Sequence, residues 1–361
     1  MNKRHSNTIN IGGFDHVKAV PIGGENPVVI QTMWKDRLDF TDIEGAKGEE
    51  TRIRISNLKD IGCGLLRFAV PDIQSAEIVG ELASRVSLPL VADIHFDYKI
   101  ALRCLDFPIA KIRINPGNIG KKENIEKVVS KAVEKKRPIR IGVNAGSLPQ
   151  DLRNLDHAEA LVISAQRELD LLKEVGFSDV LVSMKASSIA DTIKANRILG
   201  ERTDVPLHIG VTEAGPLIAG VVRNTIALYD LLNAGIGDTI RVSLSDTMEN
   251  EIIAGREILM ALNNGREGKG VTIISCPRCG RNGFDTHDFT ERWKHKLYAM
   301  QKNISVAIMG CVVNGPEEAR NADLGITGAG NKVLLFCRGK IIKTIDAEEA
   351  DSAFSEALEK L

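Results

Sequence analysis

Short apolar runs alternate with longer amphipathic stretches along the first three quarters of the chain. Eight runs have strand length and are rich in leucine or β-branched residues: Val28–Gln31, Leu65–Val70, Leu88–Ile94, Ile109–Ile114, Pro138–Val143, Val180–Met184, Pro206–Val211 and Thr239–Leu244. Apolar positions recur at helical spacing between most of them, at Gly45–Ile61, Gln74–Ser84, Lys122–Lys136, His157–Val175, Ile189–Leu199 and Gly215–Asn233. Eight strands alternating with helices predict an α/β fold of the TIM (β/α)8 barrel type, and a doubly wound open sheet is the alternative.

The two ends of this region have features of their own. Thr8–Gly24 holds two short extended pieces around a pair of glycines, which predicts a hairpin that plugs the barrel bottom. The polar, glycine-rich Asn263–Gly270 predicts a linker. We therefore predict a substrate-binding barrel domain over residues 1–264 and a second, smaller domain over residues 271–361.

The C-terminal region predicts a small α+β domain. Strands are predicted at Val271–Ser275 and Ile304–Met309, and a hairpin over residues 333–345. Helices are predicted at Thr290–Gln301 and Ala347–Lys360, where apolar positions recur at helical spacing.

Composition narrows the function classes. The chain has 47 lysine and arginine residues against 48 aspartate and glutamate residues, a net charge of −1, which argues against general nucleic-acid binding. No apolar stretch is long enough to span a bilayer, and the polar N-terminal residues predict no secretory signal. We therefore expect a cytoplasmic protein, in which the six cysteines serve metal binding or packing rather than disulfides.

Five of the predicted strands carry a cation, and barrel active sites lie at the C-terminal ends of such strands. The cations are Arg67, Arg113, Arg140, Lys185 and Arg241, and the polar residues Asp93, Asn115, Asn144 and Ser243 lie on or just after the same set of strands. Converging cations repel one another unless an anion compensates, and arginine forks match phosphate oxygens. The pattern predicts a small substrate with at least two phosphate-type charges. The alternative is that each cation pairs with a neighbouring carboxylate.

Glu213 follows the seventh run, just before a Gly-Pro sequence that begins a predicted helix. A carboxylate among cations can donate or accept a proton in catalysis. The alternative role is that of an acidic residue near a helix N-terminus, where the helix dipole favours negative charge.

Three cysteines of the C-terminal region have the spacing of metal ligands. Two residues separate Cys276 from Cys279, and Cys311 arrives from a distant segment, followed by Glu318 after a Gly-Pro turn. Four sulfurs would indicate structural zinc or an electron-transfer cluster, whereas three sulfurs and a carboxylate indicate a centre that can do chemistry at its odd position. The remaining cysteines are interpreted as buried packing residues: Cys63, Cys104 and Cys337.

Two functions from different classes fit these residues. One is a redox enzyme whose iron–sulfur cluster reduces a phosphorylated small molecule bound in the barrel. The other is a barrel lyase or hydrolase with a structural zinc module. A non-catalytic metal-binding scaffold is a third option, which the cationic strand ends disfavour. Colour separates the first two, because a [4Fe–4S] protein is brown and a zinc protein is colourless.

Seven motifs together resemble the 4-hydroxy-3-methylbut-2-en-1-yl diphosphate synthases, a family of the non-mevalonate isoprenoid pathway. They are Val91–Tyr98, Arg113–Gly120, Arg140–Asn144, Val182–Ser187, His208–Gly215, Ser275–Arg281 and Met309–Pro316, spread from about Pro21 to Gly330. Their number and order make the resemblance far more specific than any one motif.

The resemblance implies a barrel joined to a cluster domain, with a [4Fe–4S] cluster bound by Cys276, Cys279, Cys311 and Glu318. It implies reductive ring opening and dehydration of 2-C-methyl-D-erythritol 2,4-cyclodiphosphate, with single electrons supplied by flavodoxin or ferredoxin. It also implies a homodimer in which the cluster domain of one chain covers the barrel mouth of the other.

The resemblance also assigns roles to residues of the barrel. Glu213 is expected to be the proton donor. The substrate is expected to be held by Arg67, Asp93, Arg113, Asn115, Arg140, Asn144, Lys185, Arg241 and Ser243.

The chain departs from the family pattern in two places. After the first strand it has Thr32-Met33-Trp34-Lys35 where Ser-Met-Thr-Asn is usual, and the following loop, Asp36–Glu50, is longer and more charged. Glu317 replaces the usual glycine before the expected ligand Glu318, and a glycine there would allow backbone angles that glutamate resists.

Overall fold

The computed structural model of the protein describes residues 3–262, 270–312 and 319–361. They form two compact units, Met1–Leu262 and Asn263–Leu361. Except for Gly270, the predicted linker lies outside the described residues.

Eight parallel strands form a barrel in the first unit. The short strands β1 (Ile9–Ile11) and β2 (Val20–Ile22) precede the barrel strands β3 (Val29–Met33), β4 (Leu65–Ala69), β5 (Leu90–Asp93), β6 (Lys111–Ile114), β7 (Ile139–Asn144), β8 (Val180–Lys185), β9 (His208–Ile209) and β10 (Thr239–Ile240). Neighbours follow the order β8-β7-β6-β5-β4-β3-β10-β9. A parallel bridge between Val182 and Leu207 joins β8 to the start of β9 and closes the ring. The predicted TIM barrel is confirmed, and the open sheet is excluded.

Helices connect the barrel strands: α1 (Gly45–Asp60), α2 (Ile73–Ala83), α3 (Tyr98–Cys104), α4 (Lys122–Lys135), α5 (His157–Glu174), α6 (Ile189–Arg202), α7 (Leu217–Asn233) and α8 (Met248–Leu262). The sequence pattern did not predict α3 or α8. Helix α3 has only seven residues, too few for a periodic apolar pattern to stand out. None of the helices that the structure describes combines the length and apolar character needed to cross a membrane.

The N-terminal hairpin packs against one end of the barrel. Strands β1 and β2 pair in antiparallel fashion, with Ile9 opposite Ile22. Apolar side chains of the hairpin contact residues at or near the starts of barrel strands, namely Leu65, Val91, Ala110 and Leu181. The hairpin therefore fills the N-terminal end of the barrel as predicted and leaves the C-terminal ends of the strands for a site.

The described residues of the second unit form a five-stranded mixed sheet and two α-helices. The strands are β11 (Thr272–Ser275), β12 (Ser305–Met309), β13 (Leu324–Ala329), β14 (Lys332–Cys337) and β15 (Lys340–Asp346), in sequential order, and the helices are α9 (Thr286–Ala299) and α10 (Ala350–Glu359). Strands β11 to β13 are parallel and β13 to β15 antiparallel. The sequence pattern missed β13, since glycines at 325 and 328 weaken a strand signal.

Candidate active site

The predicted cations converge at the C-terminal end of the barrel. Strand register places Asp93 beside Arg113 and Arg113 beside Arg140. The guanidinium groups of Arg67 and Arg241, from opposite sides of β3, both reach the sulfur of Met33, at 2.9 and 3.7 Å. These side chains are buried or nearly so, because alternation along each strand turns them into the barrel.

Asp93 organises two of the arginines. Its Oδ1 accepts a hydrogen bond from Arg113 Nη1 at 3.0 Å, and its Oδ2 lies 3.6 Å from Arg67 Nε. Burial alone would raise the pKa of Asp93, but a hydrogen bond with His95 and the charges of the nearby arginines outweigh it and lower the pKa below its usual range. Asp93 is therefore an ionised anchor that orients guanidinium groups.

Gly142 makes room for Arg113. Arg113 Nη2 donates to the carbonyl oxygen of Gly142 at 2.8 Å, and a Cβ added at Gly142 would overlap the Arg113 guanidinium. The close approach of the guanidinium to the backbone of β7 thus depends on glycine at this position.

Arg241 is held by a carboxylate that the sequence pattern did not indicate. Glu251, near the start of α8 and 1% exposed, accepts hydrogen bonds from Arg241 Nε and Nη2 at 3.3 and 3.2 Å. Thr32 Oγ1, at 2.6 Å, and the Leu244 N–H, at 3.0 Å, also donate to Glu251. Burial raises the pKa of Glu251, but Arg241 and these donors lower it more, so the carboxylate is ionised. Glu251 could have been predicted from the sequence only if helix α8 had been recognised.

The alternative that every cation pairs with a carboxylate holds for three of the five predicted cations. Arg67 and Arg113 share Asp93, and Arg241 has a carboxylate of its own. Arg140 and Lys185 form no ion pair among the described residues, and Arg140 Nε and Nη1 have no hydrogen-bond partner.

A sixth basic side chain lies beneath the five predicted cations. Lys111, two residues before Arg113 on β6, is fully buried, and its Nζ has no hydrogen-bond partner. The two-residue period of a strand was the sequence signal for its inward position. Burial and the surrounding cations lower the pKa values of Lys111, Arg140 and Lys185. The five predicted cations thus face two ionised carboxylates, Asp93 and Glu251, and the excess positive charge suits a bound anion.

His208 lies inside the same cationic layer. It is fully buried, its Nδ1 lies 2.7 Å from Thr239 Oγ1, and its Nε2 has no partner. Burial and the charges of Lys185 and Arg140 lower its pKa, so the imidazole is neutral.

Asn115 lies at the barrel mouth against a buried carboxyl group on α5. With its amide oriented to satisfy its partners, Asn115 Nδ2 donates to both oxygens of Glu168, at 2.5 and 3.2 Å. The Gly117 N–H also donates to Glu168, at 2.7 Å. Burial raises the pKa of Glu168 to about 7. The sequence pattern did not single out Glu168, because one acidic residue on an amphipathic helix gives no signal of its own.

The remaining predicted barrel residues lie at the rim. Glu213 is exposed and has a left-handed backbone with φ of 52°, an uncommon conformation for a residue with a side chain. Helix α7 begins only at Leu217, so Glu213 is not in its first turn, and the helix-dipole alternative is not supported. Asn144 ends β7 beside Lys185, and Ser243 is half-buried after β10.

The divergent segment after β3 packs tightly against the barrel. Trp34 is 6% exposed and stacks on Phe68 with ring centroids 5.5 Å apart. Lys35 Nζ lies 3.0 Å from Glu251 and donates to Leu244 O at 2.7 Å. This segment therefore adds one more cation beside the site.

Cys276 and Cys311 lie just after the ends of the neighbouring strands β11 and β12, and Cys279 lies in the loop that follows β11. The Cys276 N–H donates to Ile308 O at 2.9 Å, which ties the end of β11 to β12, and Cys311 follows β12 by two residues. A Cβ built on Gly310 would lie 3.7 Å from Cys276 Sγ. Between Cys276 and Cys279, Arg278 adopts a left-handed φ of 71°. The chain thus turns sharply where two thiols come from one loop.

The structure describes only some of the predicted metal ligands. Glu318 and Glu317 lie outside the described residues. Over residues 3–262, 270–312 and 319–361, no group of three or more His, Cys, Asp or Glu side chains is arranged to hold a metal ion. Cys276 and Cys311, at or just after the ends of the adjacent strands β11 and β12, nevertheless offer the thiol donors that an iron–sulfur cluster uses.

The other cysteines are placed differently from one another. Cys63 and Cys104 are buried, and burial raises the pKa of each thiol to about 12, as expected for packing residues. Cys337 is half-buried in β14, so the expectation that it is buried was wrong.

Comparison with known proteins gives matches to both units. The model of the GcpE TIM-barrel domain matches residues 15–256, and that of the GcpE protein C-terminal domain matches residues 272–360. The 4-hydroxy-3-methylbut-2-en-1-yl diphosphate synthase (flavodoxin) of Treponema pallidum is 48% identical, over 97% of this chain and 91% of that protein. Proteins of the same name from Treponema denticola and Thermodesulfovibrio yellowstonii are 49% and 43% identical, over 98% and 100% of this chain and 98% and 100% of theirs.

Solved structures resemble the chain more remotely. A dihydropteroate synthase from Yersinia pestis superposes with a TM-score of 0.48 at 13% identity, covering 73% of this chain and 99% of that one. This likeness is too weak to bear on function.

Proposed function

Because the chain belongs to the GcpE family of 4-hydroxy-3-methylbut-2-en-1-yl diphosphate synthases, we propose that it opens and reduces 2-C-methyl-D-erythritol 2,4-cyclodiphosphate. The resemblance inferred from the sequence motifs is thereby confirmed, and the chain is an oxidoreductase of isoprenoid precursor synthesis. The product is 4-hydroxy-3-methylbut-2-enyl diphosphate, formed with two electrons and loss of water. The observation that carries the proposal is the excess of buried cations over carboxylates at the barrel mouth.

The cations bind the cyclic diphosphate and stabilise it as a leaving group. Arg140 and Lys185 have no carboxylate partner among the described residues, so a phosphate can replace the missing counter-charge. Arg67, Arg113 and Arg241 keep spare N–H donors beyond their bonds to carboxylates, because a guanidinium has five. Donors held in place before binding favour the charge that develops on the leaving phosphate oxygen.

Asp93 and the neutral polar residues act around these cations. Asp93 holds Arg67 and Arg113 in position, which is its contribution to substrate binding. The neutral donors Asn115, Asn144 and Ser243 complete the binding set at the rim.

Glu213 donates the proton that converts the substrate hydroxyl into water. Its backbone is fixed by its neighbours, since the Thr212 N–H donates to Ala186 O at 3.1 Å and Arg223 donates to Ala214 O at 2.9 Å. Replacing Glu213 with glutamine should leave substrate affinity unchanged and lower turnover about 10²- to 10⁴-fold. Full turnover of this variant would remove Glu213 from the mechanism.

The second unit holds a [4Fe–4S] cluster through Cys276, Cys279, Cys311 and Glu318. The adjacent ends of β11 and β12 support Cys276 and Cys311 as ligands, and Cys279 and Glu318 rest on the family motif. Such a cluster, when bound, supplies one-electron reduction to the enzyme. The electron donor is flavodoxin, which is part of the relatives' names, or ferredoxin.

The enzyme is also proposed to be a homodimer. An apolar stripe on α7 supports it: Ile218, Val222, Ile226 and Tyr229 are 79, 53, 50 and 48% exposed. The stripe is nearly symmetric about its midpoint, so an antiparallel second copy would place Ile218 against Tyr229, as a two-fold interface requires.

Sedimentation velocity should show a dimer for the wild type and a monomer for the Ile218→Glu variant. Ile53→Glu, an exposed control on α1, should stay dimeric. A monomeric wild type would refute the dimer.

Anaerobic purification with metal analysis tests the cluster. We expect about four iron atoms per chain, a brown colour and a [4Fe–4S] Mössbauer signature. Cys311→Ser should lose most of the iron, whereas Cys337→Ser, a half-buried cysteine of the same unit, should retain it. Zinc at these thiols would overturn the reductive function and favour the lyase or hydrolase hypothesis, whereas equal iron in both variants would remove Cys311 from the ligand set.

A further inference from the structure

The barrel interior beneath the anion-binding side chains is polar. Lys111 lies two residues before Arg113 on β6, so its side chain points into the barrel one layer deeper. Gln31 on β3 and His208 on β9 are also buried in the barrel wall, and all three side chains are at most 1% exposed. Both amide atoms of Gln31, the Lys111 Nζ and the His208 Nε2 have no hydrogen-bond partner. Barrels usually fill such a layer with branched apolar side chains, so this layer requires an explanation.

Lys111 has no counter-charge. No carboxylate lies within ion-pair distance of its Nζ among the described residues, and the charged groups that face it are Arg140 on β7 and Arg67 on β4. The neutral His208 on β9 faces it from another side. Asp93, in the layer above, is already bound by two arginines. Burial first, and then the two arginines, lower the pKa of Lys111 well below its usual value.

We propose that Lys111 is uncharged in the free barrel and takes up one proton from solvent when a cyclic diphosphate binds above it. A buried ammonium without an acceptor is costly, so the neutral amine is favoured while the site lacks an anion. The bound diphosphate supplies the missing negative charge, and the amine becomes an ammonium group. The proposal rests on the proposed function, since it requires that ligand class in the barrel.

Coulomb's law gives the size of the effect. One strand layer separates residues i and i+2 by about 7 Å. At an effective dielectric constant of about 20, each negative charge at about 7 Å raises the proton affinity of Lys111 about 50-fold. Two charges raise it about 1,000-fold or more. Binding should therefore tighten as pH falls, because bound ligand and bound proton favour each other.

Isothermal titration calorimetry measures this proton directly. The full-length, anaerobically purified protein is titrated with the cyclodiphosphate at pH 7.5 in three buffers that differ in ionisation enthalpy. Both phosphates of this ligand are bridged into the ring and lack a second ionisation near neutral pH, so the ligand itself contributes no proton. The slope of observed enthalpy against buffer ionisation enthalpy should show net proton uptake, to which Lys111 contributes up to one proton per site and Lys185, whose pKa is also lowered by burial, can add.

Variants identify the group that takes up the proton. Lys111→Met should lower the slope by up to one proton per site, and Lys111→Arg, whose guanidinium stays charged, should do the same if the methionine variant does not fold. Lys194→Met, at an exposed lysine paired with Asp156, should keep the wild-type slope. Saturable binding without proton uptake, or an unchanged slope in the Lys111 variants, would overturn this inference alone. Absence of cyclodiphosphate binding would instead overturn the proposed function, and this inference with it.

Discussion

Replacing Glu168 with glutamine should change how barrel stability depends on pH. Glu168 is 7% exposed, lies on α5, and has a pKa of about 7 against an ordinary value of 4.5. Glutamine keeps the size of the side chain and an oxygen that can accept from the Gly117 N–H. The NH2 group of the introduced glutamine can donate to the Asn115 side-chain oxygen if the Asn115 amide turns over. The contacts to Gly117 and Asn115 are then both kept without an ionisable group.

The sign of this pH dependence follows from the number of protons that the folded and unfolded states bind. Between about pH 4.5 and pH 7 the folded barrel keeps Glu168 protonated while the unfolded chain ionises it, so the folded state binds more protons. The free energy of unfolding of the wild type therefore falls as pH rises through this window and levels off above it. A difference of 2.5 in pKa corresponds to about 3 kcal/mol. The hydrogen bond that Asn115 donates favours ionised Glu168. We therefore expect the free energy of unfolding to fall by about 1 to 3 kcal/mol across this window.

Tryptophan fluorescence can follow the barrel alone. The chain has two tryptophans, Trp34 in the barrel and Trp293 in the second unit. In a Trp293→Phe background, urea unfolding at several values between pH 4.5 and pH 8.5 reports on Trp34. The unfolding free energy of wild type minus that of Glu168→Gln should decrease by about 1–3 kcal/mol across this range.

A matched control lies on the same helix. Glu174 is 59% exposed and only 3.3 Å from Lys122, so Glu174→Gln should follow the wild-type pH profile within about 0.5 kcal/mol. A difference between wild type and Glu168→Gln that does not vary with pH would refute the assignment of a neutral, buried Glu168.

Three further predictions concern other sites. Gly142→Ala places a methyl group against the Arg113 guanidinium, so the Kd of the cyclodiphosphate should rise about 10- to 100-fold by calorimetry; unchanged affinity would contradict this. Glu251→Gln leaves Arg241 without its carboxylate and should cost the barrel about 3–5 kcal/mol at pH 7 in urea unfolding. The pKa of Glu251 is depressed, so this cost should shrink as pH falls below the ordinary glutamate pKa of 4.5, and a pH-independent cost would argue against ionisation. Phe354→Ala should destabilise the second unit by about 3–5 kcal/mol, monitored by its own tryptophan, and a loss below about 1 kcal/mol would contradict its buried position.

The barrel was predictable from local patterns. Each of its eight strands overlaps an apolar run seen in the sequence, because strands buried on both faces read as continuous β-branched or leucine-rich stretches. The cations at strand ends were predictable for a related reason: residues two apart on a strand share a face, and parallel strands bring their C-terminal ends together. Arg113 and Arg140 accordingly lie side by side.

Partners that are distant in sequence were decided only by folding. Glu251 reaches Arg241 from α8, and Glu168 reaches Asn115 from α5, across 53 residues of chain. Neither acid stands out on its helix, since an amphipathic pattern shows which face is buried but not what that face meets. Charge state is likewise a property of the assembled barrel: Lys111 is an ordinary lysine in the sequence, and only burial beside arginines without an acceptor makes its ammonium form unfavourable.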